Sequence, residues 1–242
     1  MSKDKTGRYR ALLIDLDGTL LDIDLEKFIP AYTEVLARRF TDFIDKEDFI
    51  RHLFGATNAM VQDNNPHKKN RTVFMEDFSR RTGQPCERIE RIIEDFYRRD
   101  FPALSCWGRE VPHARPVVEL AREKGLTLVL ATNPIFPETA VLERLSWSGL
   151  SEDFFDLITT TDNMHFCKPK PEYYLEISRL INCPPENCLM AGNDTVEDLS
   201  ASLTGMETFL VDDFMLHRSS EEPLCSYRGS LKDLAEFIEN LP

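Results

Sequence analysis

The chain alternates short apolar, β-rich runs with amphipathic stretches, and this alternation limits its fold more than any other feature. Five runs predict strands: "RALLIDL", "LTLVLAT", "FDLITTT", "NCLMAG" and "ETFLVDD", which begin at residues 10, 126, 155, 187 and 207. Between them, stretches such as "RPVVELAREKG" and "PEYYLEISRL" return an apolar residue every three or four positions, as a helix does. Such a pattern is typical of a parallel sheet covered by helices on both faces. The sequence therefore predicts an α/β protein with a Rossmann-like, doubly wound core.

One segment interrupts the alternation. From Asp22 to about Leu104 the patterns are helical, and no convincing strand is present; they are "LEKFIPAYTEVLARRF", "KEDFIRHLFGATNAMVQ", "RTVFMEDFSRRTG" and "CERIERIIEDFYRRDF". An all-helical insertion directly after the first strand predicts a separate small domain, a four-helix bundle. The predicted division is a core domain of residues 1–21 and 105–242 and a helical domain of residues 22–104.

Composition narrows the classes of partner. The net charge of −13 argues against a nucleic-acid partner, because a phosphate backbone needs a basic surface. No apolar run approaches the ~20 residues of a membrane span, and "MSKDKTGRYR" lacks the apolar centre of a signal peptide. We therefore expect a cytoplasmic protein without a membrane partner, as a monomer or homodimer. The six cysteines contain no C-x-x-C pair, which favours free, buried thiols over zinc or disulfide sites.

Polar side chains follow the predicted strands where each strand ends. In an open α/β sheet ligands bind at the carboxyl ends of the strands, so these residues are the candidates for a site. They are Asp15-Leu16-Asp17-Gly18-Thr19, Thr132-Asn133, Lys168 in the loop after the third strand, Gly192-Asn193-Asp194, and Asp198 one helical turn further on. Carboxylates, a hydroxyl group and a lysine suit a divalent cation and a phosphate.

Asp15 and Asp17 interrupt an otherwise apolar strand, and strand alternation points them the same way. Burying an unpaired carboxylate costs several kcal/mol or more, so the pair needs a partner. Either the two residues form an acidic turn, or the strand delivers two carboxylates to a cation.

Taken in order, these residues resemble the four motifs of the haloacid dehalogenase superfamily of hydrolases. The motifs are Asp15-x-Asp17-Gly18-Thr19, Thr132 after an apolar strand, Lys168 followed by Pro169, and Gly192-Asn193-Asp194 with Asp198. The helical insertion resembles the helical cap of many members of the superfamily. The resemblance implies a magnesium-dependent phosphatase that acts on a small phosphorylated metabolite.

The resemblance also implies a role for each motif residue. Asp15 would attack phosphorus and form an aspartyl-phosphate, and Asp17 would act as general acid and then as general base. Mg²⁺ would be held by the carboxylates of Asp15 and Asp194 and by the backbone carbonyl of Asp17. The remaining predicted residues are Thr132, Asn133 and Lys168, which would bind phosphate oxygens, and Asn193 and Asp198, which would support Asp194.

Several assignments have alternatives. Lys170 competes with Lys168 as the phosphate ligand, although only Lys168 directly precedes the first proline. Asn193 competes with Asp194 for the metal, but a carboxylate binds Mg²⁺ better than an amide does. Asp198 is equally consistent with a structural helix residue.

Other functions also remain open. A haloacid dehalogenase uses the same nucleophile, but dehalogenases of this superfamily lack the second aspartate, so Asp17 argues against that reaction. A phosphomutase is a further alternative, as is a phosphonatase, which needs a cap lysine; Lys27, Lys46, Lys68 and Lys69 are candidates. A protein that has kept the fold for binding alone is the alternative outside enzymes.

The stretch "GATNAMVQDNNPHKKNR", Gly55 to Arg71, is rich in amides and cations and joins two predicted cap helices. A cap inserted after the first strand would lie above the strand ends, where its side chains could select the leaving group of the substrate. Asn58, Lys68, Lys69 and Arg71 are therefore candidate specificity residues. The alternative is a solvated loop between two helices.

Overall fold

A computed structural model describes residues 8–218 and 222–242 of the chain. Its strands are β1 Ala11–Ile14, β2 Leu21–Ile23, β3 Gly108–Glu110, β4 Thr127–Leu130, β5 Leu157–Ile158, β6 Cys188–Gly192, β7 Glu207–Val211 and β8 Tyr227–Gly229. Six of them form one sheet in the order β5-β4-β1-β6-β7-β8, with every neighbouring pair parallel. β2 and β3 pair separately and antiparallel. The predicted Rossmann-like α/β core is confirmed.

The central strands are buried on both faces, which explains why they are apolar at nearly every position. In β1, Leu12 and Ile14 belong to one hydrophobic cluster, and Ala11 and Leu13 belong to another. The first cluster includes side chains of the helices α5 (Ala114–Glu123), α6 (Glu138–Trp147) and α8 (Leu231–Glu239). The second includes side chains of α7 (Pro171–Leu180). Helices therefore cover both faces of the sheet, as a parallel sheet requires.

Four helices lie between β2 and β3: α1 Leu25–Ala37, α2 Lys46–Gln62, α3 Asn70–Thr82 and α4 Cys86–Arg99. We call this segment the cap. The side chains of Asp24 and Asp45 accept hydrogen bonds from backbone N–H groups in the first turns of α1 and α2, so both helices begin at an N-cap. Gly83 ends α3 in the left-handed conformation, with φ of 67°. The cap interior is aromatic, with Phe40, Phe49, Phe78 and Phe96 fully buried.

The boundary with the cap contains one correction. We predicted no strand between Asp22 and Leu104, whereas β2 extends through Asp22 to Ile23 and pairs with β3. A three-residue strand is too short to show alternation, and its partner lies far away in the sequence.

The first turn of α3 fastens the cap to the core. Asn70 is fully buried, and its backbone N–H donates to the carbonyl of Met164 at 2.9 Å. Its side-chain amide donates to the carbonyl of Pro134 at 3.2 Å. The N–H of Arg71 donates to the carbonyl of Thr161 at 2.9 Å. These N–H groups have no partner within the helix, so the core satisfies them; we call Asn70 and Arg71 the α3 anchor.

All six cysteines lie in the described part of the chain, and none of them forms a disulfide. Cys167, Cys183 and Cys188 are buried as expected, whereas Cys106 is exposed. Among the described helices, none combines the length and the apolar character needed to cross a bilayer.

Candidate active site

The sheet brings the predicted motifs to one edge. β1 lies between β4 and β6, with Ile14 opposite Leu130 and Ala191. Asp15 follows Ile14 directly, and its N–H continues the ladder by donating to the carbonyl of Ala191 at 2.9 Å. The ends of β1, β4 and β6 therefore meet, and each carries one of the predicted motifs.

Lys168 lies at the centre of this group. Its side chain is 1% exposed, and Nζ donates to Asp15 Oδ1 at 2.8 Å and to Asp198 Oδ1 at 2.6 Å. Burial raises the pKa of Asp15 well above its usual value, although the ammonium group opposes this effect. Burial by itself would lower the pKa of Lys168, but Asp15 and Asp198 outweigh it, and the pKa is raised. We assign Lys168 as an ammonium ion, because both of its short contacts are to carboxylate oxygens.

Asp198 links Lys168 to the end of β6. Its second oxygen, Oδ2, accepts from the backbone N–H of Asp194 at 2.9 Å. Gly192 makes this approach possible, because a Cβ at that position would lie 2.1 Å from Oδ2. Asp198 thus positions both the lysine and the loop that carries Asp194.

Asp194 and Asn193 face different partners. Asp194 Oδ1 accepts from the backbone N–H groups of Val196 and Glu197, at 2.8 and 2.9 Å, and Oδ2 accepts from Arg218 Nε at 2.5 Å. The Asn193 side chain donates instead to the carbonyl of Phe214 at 2.8 Å. Asn193 therefore holds the neighbouring loop, whereas the carboxylate of Asp194 is paired with the guanidinium group of Arg218.

Asp17 has a partner that the sequence did not reveal. Its Oδ2 accepts from Nη1 of Arg144, a fully buried residue of α6. The other oxygen, Oδ1, is buried and has no hydrogen-bond partner among residues 8–218 and 222–242. Gly18 turns the chain next to Asp17 with φ of +81°, where a Cβ would lie 2.2 Å from Asn193 Nδ2.

Side-chain hydrogen bonds fix the backbone at the end of β4. The carbonyl of Thr132 accepts from Thr159 Oγ1 at 2.7 Å and from the Tyr173 hydroxyl at 3.0 Å. Asn133 Nδ2 donates to Glu197 Oε2 at 3.0 Å, and burial raises the pKa of that glutamate. Asn133 Oδ1 is buried without a partner in the described part of the chain. Thr132 is therefore fixed in place, while Asn133 retains an unused acceptor.

The structure does not gather the four candidate specificity residues. The first half of the stretch belongs to α2, which ends at Gln62 as the helical pattern "KEDFIRHLFGATNAMVQ" predicted, so only its second half connects two helices. Asn58 and Lys69 are exposed, and Lys68 pairs with Glu76 at 2.7 Å. The guanidinium of Arg71 contacts carboxylates of both cap and core, namely Asp162 at 2.7 Å, Glu90 at 2.5 Å and Glu94 at 3.3 Å.

A cavity of about 700 Å³ lies between the cap and the core. Tyr32, Leu53 and Phe74 of the cap line it together with Ile135 and Leu142 of the core. Of the four candidate specificity residues only Arg71 lines this cavity. Its charged wall residues are mainly acidic, namely Glu90, Glu94, Glu138, Glu143 and Asp162 against Arg71 and Arg98.

The donor chemistry of the site fits a magnesium ion. The carboxylates of Asp15, Asp17 and Asp194 each pair with a cationic side chain, namely Lys168, Arg144 and Arg218. Mg²⁺ prefers oxygen ligands and usually takes only one or two protein carboxylates. Across the described ranges no group of three or more His, Cys, Asp or Glu side chains is arranged to hold a metal ion. The predicted set does not require such a group, because its third oxygen is a backbone carbonyl.

Comparison with known proteins identifies one family, and the similar proteins include named phosphatases. Residues 9–202 match the model of a family described as haloacid dehalogenase-like hydrolase. A phosphorylated carbohydrates phosphatase of Thermotoga maritima is 27% identical over 200 residues, which are 81% of this chain and 82% of that protein. A phosphoglycolate phosphatase of Aquifex aeolicus is 23% identical over 224 residues, or 88% of this chain and 94% of that protein.

Solved structures show the same fold. A HAD phosphatase from Thermococcus onnurineus superposes with a TM-score of 0.57 at 22% identity, over 95% of this chain and 97% of that one. A dehalogenase solved with an intermediate complex has a TM-score of 0.58 at 15% identity, over 96% and 97%. Because phosphatases and dehalogenases share this fold, the choice between the two reactions depends on individual side chains.

Proposed function

Because the chain belongs to the haloacid dehalogenase-like hydrolase family, we propose that it is a Mg²⁺-dependent phosphatase that hydrolyses a small phosphorylated metabolite through an aspartyl-phosphate. The observation that carries the proposal is the second carboxylate, Asp17, two residues after Asp15 and held by Arg144. A phosphate ester leaves as an alkoxide and needs a proton, whereas a halide needs none. Relatives named phosphatases, aligned over most of their length, support this reading.

Asp15 is the nucleophile in this proposal. Lys168 holds its Oδ1 at 2.8 Å, and no donor to Oδ2 is present in the described part of the chain. The carboxylate is therefore fixed by one oxygen, which lowers the entropic cost of bringing it to phosphorus. Attack on phosphorus forms the acyl phosphate and breaks the bond to the leaving-group oxygen.

Asp17 then moves protons. With Oδ1 protonated while Oδ2 accepts from Arg144, it gives that proton to the departing alkoxide, and as the resulting carboxylate it later takes a proton from the water that hydrolyses the acyl phosphate. Its buried Oδ1, which lacks a partner among the described residues, is suited to this exchange.

The carboxylates of Asp15 and Asp194 and the backbone carbonyl of Asp17 would hold Mg²⁺. When bound, the ion neutralises phosphate oxygens and so makes phosphorus more electrophilic. Thr132 would bind a phosphate oxygen through its hydroxyl group, and Lys168 would add a positive charge nearby. Asp198 supports both ends of this arrangement, since it accepts from Lys168 and from the N–H of Asp194.

The rival functions gain little support. Three of the four candidate imine lysines of a phosphonatase lie in exposed ion pairs, since Lys27, Lys46 and Lys68 contact Asp24, Glu34 and Glu76. The fold is common to dehalogenases, but Asp17 has no task in halide displacement. No contact of the described residues favours a phosphomutase over a phosphatase.

A substrate screen tests the proposal. Purified protein should release inorganic phosphate from p-nitrophenyl phosphate and from members of a panel of phosphorylated metabolites when Mg²⁺ is present. The Asp15→Asn variant is the matched control for contaminating phosphatases. Halide release from a haloacid without phosphate release would identify a dehalogenase. Binding of phosphate esters without turnover would identify a protein that has lost catalysis.

A further inference from the structure

Arg144 is an arginine in the interior of the protein. Its side chain is 1% exposed on α6, a helix that otherwise buries Ala140, Val141 and Leu145 on the same face. A buried guanidinium is costly unless it is paired and hydrogen-bonded. Such a residue therefore needs an explanation beyond packing.

The guanidinium is held on two sides and contacts one carboxylate. Its Cζ lies 4.3 Å from the ring centroid of Phe136, which in turn packs edge-on against Tyr32 of the cap. Nε lies 3.4 Å from the carbonyl of Ala140, one turn earlier in α6. Nη1 donates to Asp17 Oδ2 across 127 positions of sequence. The Arg144 guanidinium is thus fixed by α6 and by Phe136, and it binds a single carboxylate oxygen of Asp17.

This contact divides the two oxygens of Asp17 into different roles. Oδ2 is occupied by Arg144, whereas Oδ1 is buried and without a partner in residues 8–218 and 222–242. A carboxylate fixed by one oxygen cannot rotate freely about its last bond, so the direction of the other oxygen is set as well. Orientation of an acid to within a fraction of an ångström matters strongly for proton transfer.

We propose that Arg144 is a positioning residue, which holds Oδ2 of Asp17 so that Oδ1 is presented to the leaving-group oxygen of the substrate. The proposal rests on the proposed function, because it needs Asp17 as the acid. Arg144 would then be a site residue outside the four motifs, on a helix that carries none of them.

The test compares two leaving groups. An alkyl phosphate depends on proton donation, whereas p-nitrophenyl phosphate hardly does. Arg144→Gln should lower kcat on the alkyl phosphate by about a hundredfold, at the low end of the usual range for general acid catalysis, and lower it on the aryl phosphate by less than about fivefold. KM should change less than about twofold on both. Arg144→Lys keeps the charge but loses the planar fork, so it should recover only part of the loss.

Two further measurements separate positioning from folding. Millimolar methylguanidine should restore turnover of the alkyl phosphate by Arg144→Ala, because it can occupy the empty place beside Asp17. The double variant Asp17→Asn/Arg144→Gln should be no slower than Asp17→Asn alone, since Arg144 acts only through that carboxylate. Arg39→Gln is the matched control: Arg39 is a partly buried cap arginine paired with Asp95 and Asp100, and its loss should leave kcat unchanged on both substrates.

Each outcome either supports or overturns the positioning role of Arg144. Equal losses on both substrates, or losses that multiply in the double variant, would show a purely structural residue and overturn the inference alone. A wild-type protein that turns over neither substrate would overturn the proposed function and this inference with it. A variant too unstable to assay is covered by Arg144→Lys and by the rescue experiment.

Discussion

Lys168 Nζ lies 2.8 Å from Asp15 Oδ1, although 153 positions of sequence separate the two residues. The ammonium group also contacts Asp198, and its side chain is almost fully shielded from water. The contact explains how a carboxylate can remain at the end of an apolar strand. It also places positive charge beside the carboxylate that we propose as the nucleophile.

Asp15→Asn should reduce kcat at least about a thousandfold, because an amide cannot form an acyl phosphate. The fold should persist, since the side-chain volume is almost unchanged. Phosphate release and the circular dichroism spectrum measure the two effects. A variant that keeps a tenth of the wild-type kcat would remove Asp15 from the role of nucleophile.

Asp17→Asn should slow turnover of an alkyl phosphate about 10²- to 10⁴-fold and that of p-nitrophenyl phosphate much less. The alkoxide needs a proton on departure, while the nitrophenolate is stable without one. Steady-state kinetics on both esters with one enzyme preparation give the comparison. Identical losses would mean that Asp17 transfers no proton.

EDTA should abolish turnover, and added Mg²⁺ should restore it.

Arg218→Gln should strengthen Mg²⁺ binding several-fold, because Arg218 competes for the carboxylate of Asp194, from which its Nε lies 2.5 Å away. Calorimetric titration of Mg²⁺ measures this without an activity assay. Asp194→Asn should weaken the same binding. Arg228→Gln, at an exposed arginine paired with Glu222, is the control and should leave the affinity unchanged.

Replacement of Lys68 and Lys69 by alanine tests the cap stretch. Lys68 pairs with Glu76 and Lys69 is exposed, as expected for a solvated loop between two helices, so KM for the best metabolite should change less than about twofold. Arg71→Gln should lower the thermal midpoint by about 2–4 °C, because partly exposed ion pairs contribute about 1 kcal/mol in total. Differential scanning calorimetry and substrate kinetics provide the readouts. A selective rise in KM for the metabolite in the lysine variant would support the original specificity role.

Thiol labelling tests the burial of Cys167. Burial raises the pKa of its thiol to about 12, so between pH 7 and 9 the native protein holds it as the unreactive thiol rather than the thiolate. Iodoacetamide at pH 8 should modify the exposed Cys106 and spare Cys167, as mass spectrometry of tryptic peptides would show. In urea all six cysteines should react. Native labelling of Cys167 at the rate of Cys106 would contradict the burial of Cys167.

Local patterns located five of the six strands of the sheet and the four motifs, but they missed β8, which is only three residues long. Apolar periodicity and spacing within a few residues locate β1, β4, β6 and β7, and the carboxyl ends of parallel strands necessarily meet. β5 is shorter than predicted, with two residues instead of seven. Thr159, the residue after β5, donates from its hydroxyl group to the carbonyls of Leu130 and Thr132.

Long-range pairs could not be predicted in the same way. An arginine in "ETAVLERLSW" is expected to face water, and the burial of Arg144 depends on Asp17, 127 positions away. The contact of Arg218 with Asp194 likewise joins two loops that no short pattern connects. Both contacts exist only because the fold brings together segments that are distant in the sequence, a helix and a loop in the first case and two loops in the second.

The α3 anchor bears on how such a cap can be exchanged between proteins. Asn70 supplies donors to the carbonyls of Pro134 and Met164, which belong to loops of the core. A foreign insert without this asparagine would lose the side-chain donor to the buried carbonyl of Pro134, at about 1–3 kcal/mol, and an insert with proline at this position would also lose the backbone donor to Met164. A chimera should therefore fold well only if the insert and its landing loops are transplanted together. The unit that evolution or an engineer can swap is thus discontinuous in the gene, although the cap itself is one continuous segment.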